Sequence, residues 1–428
     1  MLAAIRSTMV AKGALVLVNI LSIPIVIRYL GARDFGIWTT ITTTLTMLFA
    51  LDLGVTNSLT NFISEAYARE DRDHASRYST TALGITLAVA AAIGCGAWLT
   101  WPHVPWDRVL GMAAVGDRQM VSSAAGVALC LLLVALPARL GAKILGGYQE
   151  LHLANVFTVL GALGNLSAVV ILVHLNASLP ILIAGSSGAV VTADLLCLLW
   201  LIYVHKPWLR PRLAYLDRAV ASRMMRSGAS LFILQVAGLM VFDSDNLIIA
   251  HYLGPAEVAP YSITWQLVGY AAAVHGLILP ALWPAFSEAF VRGDITWARQ
   301  MFWRIMLITM GTATAAAAVF AILGRWIIGL WASNAAVPGE TLMLLMCVWV
   351  LISTFMNNTV AILLAKGAIR LQSWLALGVG VLNIPLSIWF VQHLGSAGVI
   401  LGTILAYLIV LVVPQTVLAW RVLYERPR

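Results

Sequence analysis

Charge is scarce in this 428-residue chain: 10% of positions are Asp, Glu, Lys or Arg, against 61% that are hydrophobic. So small a polar complement cannot clothe a water-soluble surface, where charged residues supply about a quarter of the chain. Cysteine is scarcer still. Cys95, Cys130, Cys197 and Cys347 sit singly inside apolar runs without metal-ligand spacing, which points to packing and away from a metal site or a cofactor anchor. Long polar segments are missing too. The largest interruptions, 102–120 and 205–226, are too short for a soluble domain. Nothing beyond a surplus of basic residues speaks for nucleic acid as a partner.

What fills the chain instead is a train of apolar runs, each near the roughly 20 residues that cross a bilayer as helix. They fall at 8–30, 36–64, 79–101, 121–144, 152–175, 178–204, 227–251, 257–286, 303–325, 338–365, 370–392 and 396–420. The first run is long for a signal-peptide core and is expected to stay in place. The fold class is therefore an all-α integral membrane protein with about twelve crossings. Basic residues orient it. With the N-terminus inside, only Arg28, Arg33, Arg108, Arg118 and Arg325 fall on the outer side, and the other 21 of 26 lie on or near the inner side. That bias places both termini in the cytoplasm, and the net charge of +8 becomes contact with anionic lipid headgroups.

Two distant stretches then match at one shift of 223 residues. Tyr29-Leu30-Gly31 recurs as Tyr252-Leu253-Gly254, Ser64-Glu65-Ala66-Tyr67 as Ser287-Glu288-Ala289-Phe290, Arg69 as Arg292 and Asp71 as Asp294. Where charge is this rare, such agreement marks a duplication. Six crossings per copy make the halves parallel repeats about an axis along the membrane normal, with the binding site expected between them. The expected domains are a six-helix lobe at 1–204, a basic cytoplasmic linker at 205–226 and a second lobe at 227–428. Within the linker, 218–226 could lie on the membrane as an amphipathic helix with Met224 and Met225 toward lipid, or form a solvated connector. A weaker echo links Asn165, 18 residues after Gly147, to Asn383, 16 after Gly367.

Charge inside a run costs about 2.5–3.5 kcal/mol at the helix centre, so the few instances are the functional candidates. Asp52 and His275 are repeat mates and could face one cavity from its two walls, unless Asp52 is spent on Thr56 or Asn57 at helical spacing. Asp243 and Asp245 lie in the seventh run. On a regular helix they would point roughly 200° apart, so a sodium ion or proton shared by both needs a local break. Asp194 sits in the sixth. Arg139 and Lys143, spaced i, i+4, share a helix face and could present two cations to an anion, with Lys12 and Lys366 completing a basic rim; otherwise such side chains snorkel to the interface. Asn357 and Asn358 offer hydrogen bonds to a sugar-bearing ligand, or to helix packing. Glu65 with Arg69 and Glu288 with Arg292 form i, i+4 pairs at matching places.

At this point the motifs carry a resemblance. Tyr29-Leu30-Gly31, Phe35-Gly36-Ile37-Trp38 and Leu51-Asp52-Leu53-Gly54 resemble the start of polysaccharide flippases. Gly147-Tyr148-Gln149, the stretch from Asp243 through Tyr252-Leu253-Gly254 to Tyr261-Ser262-Ile263, and Asn383 are similar to that family's later pattern. The resemblance implies the fold of the multidrug/oligosaccharidyl-lipid/polysaccharide exporter superfamily, in a bacterial inner membrane. It implies a substrate as well, an oligosaccharide on undecaprenyl pyrophosphate turned from inner to outer leaflet by alternating access for surface polysaccharide assembly. Polymerase and other assembly proteins are the implied partners, and no enzyme activity or resident cofactor is expected. The rivals are a cation-coupled drug exporter, which wants an acidic, aromatic-lined cavity, and a membrane polysaccharide polymerase or ligase. Against the latter, the outer loop 102–120 offers only Asp107, Asp117, Arg108 and Arg118 as chemistry.

Overall fold

The computed structural model describes residues 2–52, 54–106, 118–276 and 279–424. Among them there is no strand, and nine helical stretches are long and apolar enough to cross a membrane. The chain forms two compact units, residues 1–235 and 236–428.

The first unit opens with α1 (Leu2–Leu48), kinked at Gly31, whose φ of 73° suits only glycine without strain. The second expected crossing is not one helix. A 3₁₀ turn at Phe49–Asp52 and a left-handed Gly54 separate α1 from α2 (Val55–Ala68). Gly54 is fixed twice over, since a Cβ there would also stand 2.4 Å from the Gly228 carbonyl oxygen. Next come α3 (Arg72–Thr100), α4 (Arg118–Ala138), α5 (Leu140–Gly147), α6 (Leu151–His174) and α7 (Leu179–Trp200). α2 packs on α5 through Thr60 Oγ1 donating to the Lys143 carbonyl at 3.2 Å and Ser64 Oγ to that of Gly147 at 3.1 Å.

The linker is part of this unit and not a free strap. Ser76 Oγ donates to the Trp208 carbonyl at 2.8 Å, Thr81 Oγ1 to that of Tyr215 at 3.2 Å, and Leu209 is buried. Arg218 begins α8 (Arg218–Phe242). Met224, which would meet lipid in a surface helix or water in a solvated connector, has no exposed surface and belongs to the core of α2, α3 and α5, while Met225 is exposed.

The second unit holds α9 (Ser244–Leu253), α10 (Val258–Gly276), α11 (Leu279–Arg292), α12 (Ile295–Trp331), α13 (Glu340–Ala365), α14 (Ile369–Leu394), α15 (Ser396–Tyr407) and α16 (Val413–Tyr424). Helices in lipid gain nothing from hydrophobic burial against each other, so close approach through small residues must hold them. Gly398 and Gly402 do this on α15: an added Cβ would lie 2.2 Å from the Phe390 carbonyl oxygen and 2.6 Å from the Ser387 nitrogen of α14. Of the cysteines, Cys197 and Cys347 are buried, whereas Cys95 and Cys130 lie on exposed faces.

The duplication reappears in the geometry. Gly31 and Gly254 both have positive φ, as do Glu70 and Gly293. Asp71 and Asp294 cap α3 and α12 by accepting from the backbone N–H three residues on. Glu65–Arg69 and Glu288–Arg292 pair at 3.0 and 2.7 Å. The asparagine echo is tighter than its spacing suggests. Helix α5 ends at a left-handed Gln149 and α13 at a left-handed Gly367, so these two correspond, and each asparagine follows its turn by 16 residues.

Candidate substrate and coupling sites

In the first unit the break between α1 and α2 bends the backbone around Asp52. Its Oδ1 accepts from the Gly54 N–H at 2.9 Å and its Oδ2 from the Thr56 hydroxyl, so the buried carboxylate is held by its own turn. Pro137 lies six residues before Lys143, and the helix restarts just after the proline: α4 ends at Ala138 and α5 begins at Leu140. Arg139 is the N-cap of α5 with helical backbone angles (φ −63°, ψ −16°), so it and Lys143 keep their i, i+4 relation. The two cations meet at one cavity of about 350 Å³, lined also by Asp52, Thr56, Asn57 and Gln235. Arg139 stacks 3.4 Å from the Phe49 ring centroid, with its Nε 3.9 Å from Asp194 Oδ2. Lys143 Nζ donates to Asn57 Oδ1 at 2.8 Å, and Asn57 Nδ2 to Gln235 Oε1 at 3.3 Å. This amide relay points the lysine into the cavity with a neutral group for support.

The second unit gathers polarity differently. Asp243 is the residue at which α8 gives way to α9, a slight interruption, since its φ of −93° and ψ of −22° stay in the helical region and its N–H still donates to the Leu239 carbonyl at 3.1 Å. The surroundings of the two aspartates differ: Asp243 is half-buried, while Asp245 is 1% exposed. Asp245 Oδ2 accepts from the Tyr261 hydroxyl. Its Oδ1 has no hydrogen-bond donor. The Asn383 amide approaches the Asp245 carboxylate as a weaker contact, since its nitrogen also donates to the Met240 and Val241 carbonyls at 3.3 and 3.2 Å. Asn383 Oδ1 in turn accepts from Thr403 at 3.0 Å and Ser387 at 3.1 Å. A buried carboxylate oxygen without a donor costs free energy unless a proton or cation meets it.

Other candidates stand apart from both clusters. Lys12 is exposed on α1. Lys366, just past α13, lies 4.6 Å over the Phe290 ring. Asn357 is exposed, whereas Asn358 is buried between α12 and α13, donating to Thr309 Oγ1 at 2.8 Å and to the Thr354 carbonyl. His275 belongs to α10, but its side chain lies outside the described residues, as do Asp107, Arg108 and Asp117.

A model of the family described as polysaccharide biosynthesis protein matches residues 1–290, more than half of the chain. The chain belongs to that family. A protein described as an O-antigen transporter in Salmonella typhi is 21% identical over 290 residues, 67% of this chain and 65% of the relative. Another so described, in Salmonella typhimurium, is 28% identical over 69 residues, 16% of each. The chain thus spans less than two thirds of either relative in these matches. Among solved structures, a multidrug resistance MATE family transporter of the MOP superfamily, in its inward-facing conformation, is similar with a TM-score of 0.82 at 16% identity over 96% of both chains. A MOP superfamily transporter from Pyrococcus furiosus is similar at 0.60, with 16% identity and the same coverage. At these identities the likeness is one of fold. This family member is a multi-pass membrane protein with a two-lobed helical transporter fold.

Gln235 and Phe49 were missed by sequence reasoning, and Asn57 was named only as a possible partner of Asp52. Gln235, a lone amide in an apolar run, was the one readable signal; the ring of Phe49 was indistinguishable from core.

Proposed function

We propose that the chain moves an oligosaccharide carried on undecaprenyl pyrophosphate from the inner to the outer leaflet of a bacterial inner membrane, by alternating access. The observation that carries this reading is the convergence of Arg139 and Lys143 on one cavity. Two cations beside Asn57 and Gln235 suit a pyrophosphate, which wants charge and several hydrogen-bond donors at once. Asp52 and Asp194 balance the cations while the cavity is empty of substrate. Coupling falls to Asp245, whose free Oδ1 takes a proton or a sodium ion and releases it as the unit changes conformation. The aromatic rings around Asp245 do not favour drug export, because Tyr261 and Trp349 are buried as core against Trp265 and Phe242.

Deleting the gene tests the reading: undecaprenyl-linked repeat units should accumulate on the inner leaflet. Normal surface polysaccharide in the deletion strain would end it.

A further inference from the structure

Membrane contact by the linker was one expectation for 218–226, but that stretch opens α8 and its Met224 is core. The segment before it behaves differently, and α3 measures how. This helix enters the bilayer from its cap at Asp71. The Trp208 carbonyl lies beside Ser76 and the Tyr215 carbonyl beside Thr81. Leu216 reaches Gly84, where an added Cβ would stand 2.7 Å from Leu216 Cδ2. From Trp208 to Leu216 the linker thus advances from position 76 to position 84 of α3, about 12 Å along the axis. The apolar run of α3 begins at 79, so the end of the linker lies level with hydrocarbon.

What the linker turns outward at that depth is apolar and basic. Leu213 is 88% exposed, and Leu216, Tyr203 and Val204 are exposed as well. Arg210 lies 5.4 Å over the Tyr203 ring just past α7, and Arg212 lies 5.5 Å over that of Tyr215. Both arginines are exposed. Tyrosines at helix ends mark the headgroup level, and an arginine resting on such a ring keeps its charge there. No carboxylate of the linker offsets them. Its single acid, Asp217, accepts from the Ala219 and Val220 N–H groups at the start of α8. Asp73 and Arg77, beside Tyr215, pair with each other at 3.0 Å. Two leucines below two uncompensated cations complement an anionic phospholipid, with acyl chain against the leucines and phosphate against the guanidinium groups.

We infer that residues 203–216 form an interfacial anchor that holds an anionic phospholipid against the first unit. The leaflet is the inner one in the orientation set by the basic residues. The anchor ties the linker to α3 and to the membrane at once, and it does not depend on what the chain transports.

The test uses the full chain in nanodiscs. Hydrogen-exchange protection across 208–216 should be roughly fivefold higher or more in phosphatidylcholine containing about one third phosphatidylglycerol than in phosphatidylcholine alone. High salt, or Arg210→Gln with Arg212→Gln, should abolish the difference. Depth is read from a bimane on Leu213→Cys, in a chain whose exposed Cys95 and Cys130 are replaced by alanine. A phosphatidylcholine with a nitroxide high on its acyl chain should quench it, and a water-soluble nitroxide should not. Equal protection in the two bilayers, or a gain that survives both glutamines, overturns the headgroup contact. Quenching from water alone overturns the apolar seat. Protection that appears only in discs holding two copies assigns the surface to a second copy and overturns the lipid.

Discussion

Ser22 in the first unit and Asp245 in the second stand at the same point of the repeat, as do Trp38 and Tyr261. In the second unit the phenol meets the carboxylate. In the first, Ser22 Oγ and Trp38 Nε1 are both shielded and without a partner. At the helix ends the opposite holds: the caps at Asp71 and Asp294 and the ion pairs at Glu65 and Glu288 are the same device used twice. The difference teaches where each copy kept and where it changed its residues. Groups that stop and start helices serve any copy, while a buried charge serves only the copy that must bind something.

The comparison can be broken most forcefully at Asp245. Asp245→Asn keeps shape and removes the titratable charge. Ion-dependent transport in proteoliposomes should fall by roughly tenfold or more, about 1.4 kcal/mol in coupling. Retained sodium or pH dependence would take Asp245 out of the coupling role. The reciprocal change sharpens the same point. Ser22→Asp places an unpaired carboxylate in the first unit at a cost of about 2.5–3.5 kcal/mol, and adding Trp38→Tyr should recover part of it by supplying the phenol. Thermal unfolding of the single and double variants measures the recovery; equal midpoints would mean that the pair is not transferable.

Packing gives the next effect. Gly402→Val should lower the unfolding midpoint by overpacking against Ser387, on the order of 1–3 kcal/mol, without altering ion dependence in the surviving fraction. Unchanged stability would show that α14 and α15 can separate freely.

The smallest effect belongs to the linker tether. Glu150 lies in the turn between α5 and α6, outside the membrane-spanning helices, and binds His205 at 2.9 Å and Lys206 at 3.0 Å. Burial pushes its carboxyl up, but the hydrogen bonds from Lys206 and His205 outweigh this and hold it below the usual carboxylate range. The tether therefore contributes fully above the unfolded value of about 4.3 and is lost as pH falls through the folded one. Hydrogen-exchange protection across 206–217, taken relative to the intrinsic rate at each pH, should fall on acidification, and Glu150→Gln should reproduce the loss at neutral pH, worth about 1 kcal/mol. Protection blind to both would leave Ser76 and Thr81 as the linker's ties to α3.

The order of crossings, the duplication and the pair Arg139 and Lys143 were readable from the chain, because composition, periodicity and spacing are local properties. That Asp243 and Asp245 point apart was readable too, from their spacing of two on a helix. Three things were not. The interruption at Asp52 to Gly54 depends on the approach of Gly228, which no neighbouring residue announces. The burial of Met224 was not readable because only the docking of the linker on α3 decides what covers it. Gln235 and Asn57 meet across 178 positions.

Scarcity of charge alone put this protein in a membrane, and the shift of 223 residues alone made it a duplicated one. Both follow from what lipid permits and from arithmetic on the chain. Which charges matter was decided by folding. Arg139 and Lys143 meet Asp52 at one cavity, and Asp245 is buried with the Tyr261 hydroxyl on one oxygen. A side chain's chemistry belongs to its residue type, but the partner that satisfies it, or fails to, arrives from elsewhere in the fold.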